Sequence, residues 1–298
     1  MRIFHKNLYQ QIVHDLKVLK SFEVEEQLKS YLIRLQSKAT SLYQSLNNEI
    51  VEVDYSDPDI QIAYMLRYFP GYWEQLYRAL WAIRSIDKEF PFNKETINIG
   101  SFGCGPCPEV IGAIRFFEET RFDLPQEINF HLYDKNQMWD FAKENFIYPK
   151  HRQQALYNFG LRLGHKISDF SQEFKLPYNF SSNYYHICCF QNCLNEFVSL
   201  CTKDVLKRNI ETVKASISSN GFLVITDRQY IEKKIAAQFQ EYLGDDLTLV
   251  DTISGSYDFT NESPIPDVVE NLFIGNLAKR LVATKRNRRF IWIYRKTI

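Results

Sequence analysis

A glycine-rich turn between an apolar run and an amphipathic segment most constrains how this chain can fold. The apolar run covers residues 97–102, the turn at 103–107 reads Gly-Cys-Gly-Pro-Cys, and apolar residues recur at helical spacing over 110–119. Glycine is needed where a ligand comes close to the backbone, because a Cβ atom would block its approach. The first N–H groups of the following helix point to the same place and favour an anionic group there. The pattern predicts a strand, a ligand-binding loop and a helix.

Strand-like and helix-like segments alternate from residue 96 onward. The predicted strands are 97–102, 128–133, 161–168, 184–190, 222–226, 247–253 and 290–294. The predicted helices between them are 109–119, 136–146, 196–218 and 230–243. Strands that alternate with helices indicate an α/β fold with a doubly wound, mostly parallel sheet. We therefore expect an α/β domain over 96–298.

Residues 1–95 have a different pattern, because apolar residues recur there every three or four positions without strand-like runs. Asp57-Pro58-Asp59 resembles a helix start, and Pro70-Gly71 divides the helical pattern that follows it. The segment predicts an N-terminal helical extension that precedes the sheet.

Acidic side chains follow the second and third predicted strands, where parallel sheets bind their ligands. Asp134 could accept both hydroxyl hydrogens of a ribose, or it could cap the next helix. In Ser168-Asp169-Phe170, the carboxylate could accept from an adenine amine while the ring stacks, or the pair could be a solvated loop acid beside a core ring. Both interpretations stay open for each site.

Amide side chains follow the fourth predicted strand. Gln191 and Asn192 could face a reacting group, and so could Asn195 and Glu196 a few residues later. These residues could equally cap the helix that begins there.

Together these features resemble the class I S-adenosylmethionine-dependent methyltransferases. Residues 103–106 resemble the family's first motif, and Asp134, Asp169 and the 190–192 edge follow in the family's order. Residues 220–225 resemble its fifth strand, and 290–294 resemble the antiparallel seventh strand that ends many members. The resemblance implies a seven-stranded sheet with an antiparallel last strand. It also implies S-adenosylmethionine as cofactor, held by Gly100, Phe102, Gly103, Cys104, Gly105, Asp134, Ser168, Asp169, Phe170, Gln191 and Asn192.

Two positions depart from the family pattern. Ser101 stands where an acidic residue usually precedes the first glycine of the motif, and Cys107 stands where the final glycine usually lies. The missing acid leaves open a methyltransferase-like binding subunit without catalysis.

The resemblance further implies that the protein mainly orients the reactants, so that a general base is needed only for an acceptor that arrives protonated. Glu196 and His186 are the candidates for that base. N-terminal helices of the family often cover the cofactor, which suggests acceptor contacts by Tyr64, Tyr68, Tyr72 and also by Asn195. A net charge of zero and an aromatic content of 15% favour a small molecule or peptide as acceptor over a nucleic acid.

The same turn also contains Cys104-Gly105-Pro106-Cys107, a dithiol motif at a helix start, so a thioredoxin-like oxidoreductase is an alternative. A nicotinamide-dependent dehydrogenase is less compatible, because its fingerprint requires a third glycine where Pro108 stands. We predict no metal site, since the adjacent Cys188 and Cys189 would point to opposite faces of a strand.

The N-terminal residues, the cysteines and the charged C-terminal segment indicate where the protein is located and what it binds. The first residues lack an apolar signal segment, and no apolar run approaches the roughly 18 residues that a membrane span requires. Four of the six cysteines crowd into residues 188–201, which is a poor disulfide framework and favours a reducing cytoplasm. Eight basic residues over 279–298 either balance the acidic segment 241–270 or form an RNA-binding edge.

Overall fold

The computed structural model describes residues 8–47, 53–89, 95–120, 125–135, 139, 159–258, 264–269 and 286–297. By its contacts the chain divides into two units. The first contains residues 1–73, 138–153 and 256–287, and the second contains 74–137, 154–255 and 288–298. The second unit therefore begins about twenty residues before the sheet.

The first unit is built on N-terminal helices, as the sequence predicts. They are α1 (Leu8–Leu19), α2 (Glu25–Asn47) and α3 (Pro58–Arg67), and a short 3-10 helix at Phe69–Gly71 follows them. The start of α3 is fixed by Asp57, whose carboxylate accepts from the Asp59 N–H at 2.8 Å. Pro58 fits the first helical position because no partner is needed there for the missing N–H.

The second unit contains a seven-stranded sheet. Its strands are β1 (Thr96–Phe102), β2 (Glu127–Asp134), β3 (Gly160–Ile167), β4 (Tyr185–Gln191), β5 (Ile217–Arg228), β6 (Leu247–Asp258) and β7 (Arg286–Lys296). The strand order is β3-β2-β1-β4-β5-β7-β6. The pairs β1–β2, β1–β4, β2–β3 and β4–β5 are parallel, and β7 is antiparallel to β5. The predicted α/β sheet with an antiparallel last strand is confirmed.

Helices cover the two faces of this sheet, and the alternation of side chains along each strand divides the core. The helices are α4 (Glu74–Ile86), α5 (Pro108–Thr120), α6 (Leu194–Leu200), α7 (Lys203–Ser216) and α8 (Glu232–Leu243). One core cluster joins α4 and α5 to Ile97, Ile99 and Cys189, and the other joins α7 and α8 to Phe102 and Cys188. Adjacent Cys188 and Cys189 thus belong to opposite faces, as predicted.

The sequence prediction of a single helix over 196–218 is wrong. The segment forms α6 and α7, which are separated at Cys201 and Thr202. The cause is a local cap, because the Thr202 hydroxyl accepts from the Val205 N–H and starts a new helix. The turn predicted at Asn220-Gly221 takes the form of a bulge at the start of β5, where Asn220 has φ +62°. The helix predicted at 136–146 lies outside the described residues, apart from residue 139.

Basic residues of β7 make contacts within the second unit. The Arg295 guanidinium lies 2.8 Å from the Asp87 carboxylate, and Arg289 is buried. Lys296 donates to the backbone carbonyl of Ile217 at 2.6 Å and to that of Lys214 at 3.1 Å. These contacts favour a structural role for this part of the basic segment. Within the described residues, no helix is long and apolar enough for a membrane crossing.

Candidate functional site

The loop after β1 makes a tight turn that depends on left-handed backbone. Gly103 has φ +66°, Gly105 has φ +50° and Cys107 has φ +61°. The N–H groups of Gly103 and Cys104 both donate to the Tyr133 carbonyl of β2, at 2.7 and 3.2 Å. The loop is therefore bound to the neighbouring strand before it enters α5. Cys107 therefore has a backbone conformation that favours glycine, at the position where the resemblance implies a glycine.

Gly103 is also constrained by packing against α6. An added Cβ atom would lie 2.7 Å from the Cβ of Cys193 and 2.7 Å from the Cζ of Phe197. The Cys193 thiol donates to the Phe102 carbonyl at 3.1 Å, which fixes this approach. The sequence interpretation attributed the glycine to a ligand, whereas the structure shows that the protein itself already requires it.

Asp134 ends β2 beside this loop. Its Oδ2 accepts from the Gly105 N–H at 2.8 Å, and its backbone carbonyl accepts from Ser168 N–H at 2.9 Å. The carboxyl ends of β1, β2 and β3 are thereby linked through one residue. The structure brings together Gly105, Asp134 and Ser168, all of which the sequence analysis selected.

A buried carboxylate lies next to Ser101, the position where the sequence lacks the expected acid. The Ser101 hydroxyl donates to Glu109 Oε1 at 2.7 Å, and both side chains are fully buried. Glu109 belongs to the first turn of α5, where the helix dipole stabilises a negative charge. The sequence analysis missed Glu109, because the serine and the acid are eight residues apart and only the loop between them brings them together.

At the end of β4, Asn192 takes a left-handed conformation with φ +58° and donates its N–H to the Thr226 carbonyl at 2.8 Å. Its side-chain amide donates to Gln75 Oε1 at 2.9 Å. Gln75 lies in α4 and is fully buried, so the amide pair of Gln75 and Asn192 links α4 to the end of β4. No local signal marks Gln75 in the sequence, since it lies more than a hundred residues from its partner.

Glu196, which follows this end of β4, is influenced by two other acidic residues. Burial raises the pKa of Glu196 to about 7, and the nearby negative charges of Asp134 and Asp227 add to this effect. Lys135 and Arg228 oppose the shift in the Glu196 pKa. A carboxyl group with a pKa near neutrality can accept or release a proton under physiological conditions.

Asp227 lies one residue before the end of β5 and is buried, which raises the pKa of its carboxyl group. Arg228, Arg289 and the backbone N–H of Asn195 counteract this rise by stabilising the carboxylate. Asn195, predicted as an acceptor contact, therefore supports Asp227 through its backbone. Its side-chain Oδ1 accepts from Lys234 Nζ at 3.2 Å.

No protein-family model and no curated protein matches this sequence. Many solved structures resemble the fold. One is the N-methyltransferase NodS from Bradyrhizobium japonicum in complex with S-adenosyl-L-homocysteine, with a TM-score of 0.43, 13% identity, and coverage of 87% of this chain and 98% of that one. The CurJ carbon methyltransferase has a TM-score of 0.49, 12% identity, and coverage of 96% and 70%. A TehB-like methyltransferase from Corynebacterium glutamicum has a TM-score of 0.36, 14% identity, and coverage of 75% and 95%.

At such identities a likeness concerns the fold alone, and the sheet itself decides the assignment. Its seven strands, with the last strand β7 antiparallel to β5, form the sheet that the resemblance implies. The chain has a methyltransferase-like α/β fold.

Some predicted cofactor contacts occupy core positions of this methyltransferase fold. Phe102 is buried and stacks on Tyr133 with ring centroids 5.0 Å apart. Gly100 lies mid-strand, where an added Cβ atom would come within 3.2 Å of the Tyr185 ring. These positions favour a packing role for the Phe102 side chain and for Gly100.

Asp169 and Phe170, which follow β3, also have contacts within the protein. Phe170 is 3% exposed, and its ring stacks on Phe174 at 4.6 Å and on Phe197 at 4.7 Å. The core interpretation of the Phe170 ring is therefore the better one. Asp169 accepts from the N–H and the hydroxyl of Ser171, which makes it the first residue of a turn.

The remaining candidates are His186 and three tyrosines of the first unit. His186 is near the start of β4, where its Nδ1 accepts from the Asn98 N–H at 3.0 Å. It is therefore at the wrong end of the strand for a general base. In the first unit, the Tyr64 ring lies 5.3 Å from that of Tyr68 and 6.0 Å from that of Tyr72. Acceptor binding by these tyrosines stays a prediction.

Proposed function

We propose that this protein is an S-adenosylmethionine-dependent methyltransferase whose cofactor site is formed by the loop at 103–107 and Asp134. The hydrogen bond from Gly105 N–H to the Asp134 carboxylate carries the proposal. It places an anionic side chain from β2 directly beside the glycine loop from β1. A doubly wound fold uses this combination to hold a nucleoside next to a helix N-terminus.

The chemistry of the residues fits this cofactor. Asp134 supplies a carboxylate that can accept from two ribose hydroxyls, and the first turn of α5 supplies N–H groups suited to the cofactor's carboxylate. When bound, S-adenosylmethionine supplies an electrophilic methyl group on a sulfonium. Asp169, at the end of the neighbouring strand β3, is our candidate acceptor for the adenine amine.

Glu196 is the group that we propose as proton acceptor. It lies in the first turn of α6, directly after the β4 edge that includes Gln191 and Asn192. Its pKa of about 7 suits the removal of a proton from a hydroxyl or ammonium acceptor. The protein's other contributions are orientation and exclusion of water, which methyl transfer to a neutral nucleophile requires in any case.

The Ser101–Glu109 pair supports a catalytic protein over a binding subunit without catalysis. The reason for considering the latter was the missing acid at Ser101. Glu109 supplies a carboxylate 2.7 Å from the Ser101 hydroxyl, so the loop retains an acidic group at its base. We propose a small molecule or peptide as acceptor, on the basis of the neutral net charge and the high aromatic content.

Calorimetry with S-adenosylmethionine and S-adenosylhomocysteine tests the proposal. We expect one-to-one micromolar binding by the wild type, because that range is common for enzyme ligands. Asp134→Ala should abolish the binding, since both the ribose contact and the Gly105 bond are lost. Asp134→Asn should weaken it by about tenfold or more, because an amide oxygen can keep the Gly105 bond but accepts less well from a diol.

The matched control is Asp251→Ala in β6, which removes an acid outside the proposed site. It should leave the dissociation constant unchanged. Unaltered binding by Asp134→Ala, or a folded wild type that binds neither compound, would contradict the proposal.

A further inference from the structure

The two thiols of the Cys-Gly-Pro-Cys motif have no role in the proposed cofactor contacts, yet they converge with a carboxylate. The Sγ atoms of Cys104 and Cys107 and a carboxylate oxygen of Glu109 all lie within 4.8 Å of one another. The three residues are 4%, 1% and 0% exposed. This is a compact, water-excluded group of two thiols and one carboxylate.

Local backbone geometry brings these donors together. The Cys107 N–H donates to the Cys104 carbonyl at 2.8 Å, which closes a turn and places both thiols near the start of α5. Cys107 holds its side chain there from a left-handed conformation with φ +61°. Such a conformation is costly for a residue with a Cβ atom, by about 1–2 kcal/mol. Glu109, in the first turn of α5, supplies the carboxylate of the group.

A further buried thiol belongs to the same core cluster as Cys104 and Cys107. Cys189 of β4 is paired in register with Ser101 of β1, and the Ser101 hydroxyl is bonded to Glu109. Cys189 is 1% exposed and belongs to the same core cluster as Cys104 and Cys107. The Cys188 thiol, by contrast, belongs to the cluster on the other face of the sheet.

Burial decides between the two chemistries that a Cys-x-x-Cys motif serves. Thiol–disulfide exchange requires that another sulfur reach one of the thiols, and redox-active cysteines are accessible for that reason. These thiols are enclosed, which is the condition of structural zinc sites with four protein ligands. A zinc ion with Zn–S bonds of about 2.3 Å holds its sulfurs about 3.8 Å apart, so the Sγ atoms of Cys104 and Cys107, which lie within 4.8 Å of each other, need to move by about an ångström or less.

We propose that Cys104, Cys107 and Glu109, together with Cys189, form a structural zinc site beneath the loop at 103–107. Binding replaces the S–H bonds of the ligating thiols by Zn–S bonds and releases the protons to solvent. The sulfur oxidation state does not change. The ion would join the loop, α5 and β4, and so would stabilise the turn at 103–107.

Metal analysis of the wild-type protein, purified with reductant and without chelator, tests this site directly. We expect close to one zinc per chain. After zinc is removed, titration with Co²⁺ should give the visible bands of a tetrahedral ion and a thiolate-to-cobalt charge-transfer band. Neither measurement needs S-adenosylmethionine, so this inference and the proposed function can fail separately.

Variants assign the ligands. Cys104→Ser with Cys107→Ser should lose the zinc and the charge-transfer band, and Glu109→Gln should keep the band but lower the affinity for Co²⁺. The matched control is Cys188→Ser, a buried cysteine on the other face of the same strand, which should retain both signals.

Three results would overturn the site. The first is a folded wild type that contains no zinc and takes up no Co²⁺ in the reduced state. The second is an intact mass lower by two hydrogens that maps to a Cys104–Cys107 disulfide. The third is an equal loss of zinc in Cys188→Ser and in the double variant. The wild-type measurements decide the matter even where a variant does not fold.

Discussion

Gly103→Ala probes how the loop after β1 is held in place. Two costs follow from the structure. The residue has φ +66°, and an L-residue in that region costs about 1–2 kcal/mol. The new Cβ atom would also lie 2.7 Å from both Cys193 and Phe197, and overpacking of this kind costs about 1–3 kcal/mol. We therefore expect the free energy of unfolding to fall by about 2–5 kcal/mol.

Urea denaturation followed by circular dichroism measures this change. The matched control is Gly164→Ala in β3, where the nearest atom to the added Cβ, the Phe130 carbonyl oxygen, is 3.8 Å away. That variant should be neutral or slightly more stable, because alanine loses less backbone entropy on folding than glycine.

A Gly103→Ala variant with a free energy of unfolding within about 0.5 kcal/mol of the wild type would contradict this prediction, since changes of that size are typical of unconstrained surface positions. Destabilisation of equal size in both variants would also refute it. In either case the contact of the loop with α6 would not be the reason for the glycine.

Three further predictions concern charge. The pKa of Glu196 is raised from its ordinary value of 4.5 to about 7, so this group binds more protons in the folded state than in the unfolded state between these pH values, and its contribution to stability falls as pH rises from about 4.5 to about 7. In urea titrations Glu196→Gln should therefore gain stability relative to the wild type between pH 5 and pH 8, and an equal difference at both pH values would count against the raised pKa. The pKa of His131 is lowered from 6.5 to about 4 by burial and by Lys166, so its contribution has the opposite sign, and His131→Gln should gain stability relative to the wild type as pH falls from about 6.5 to about 4. Lys296→Met leaves two backbone carbonyls without their donor and should cost about 1–3 kcal/mol in the same assay, whereas the exposed Lys203→Met should cost almost nothing.

Local patterns were sufficient to predict the sheet and the loop. The strand–turn–helix pattern around 103–107 and the strand that ends in Asp134 are both present, and their meeting at 2.8 Å follows from the neighbouring parallel strands. These features depend on periodicity and on glycine, which can be read within a short window. The same is true of β7, whose apolar residues mark it even though its full length is greater than predicted.

The parts that were missed depend on contacts between distant residues or on a single cap. Glu109 becomes the partner of Ser101 only once the loop is closed, and Gln75 meets Asn192 from a helix of another segment. The break between α6 and α7 depends on one threonine in a segment whose apolar spacing continues across it. Phe170 looked like a stacking platform because sequence cannot show that other rings already occupy its neighbourhood.

The most direct test of the proposed cofactor site is a crystal structure of the protein with S-adenosylhomocysteine. We expect density at the carboxyl ends of β1 and β2, with the ribose hydroxyls on the Asp134 carboxylate and the amino-acid portion beside the loop at 103–107. Density for the compound at another place, or a structure grown at saturating concentration with none at this loop, would contradict the proposed site.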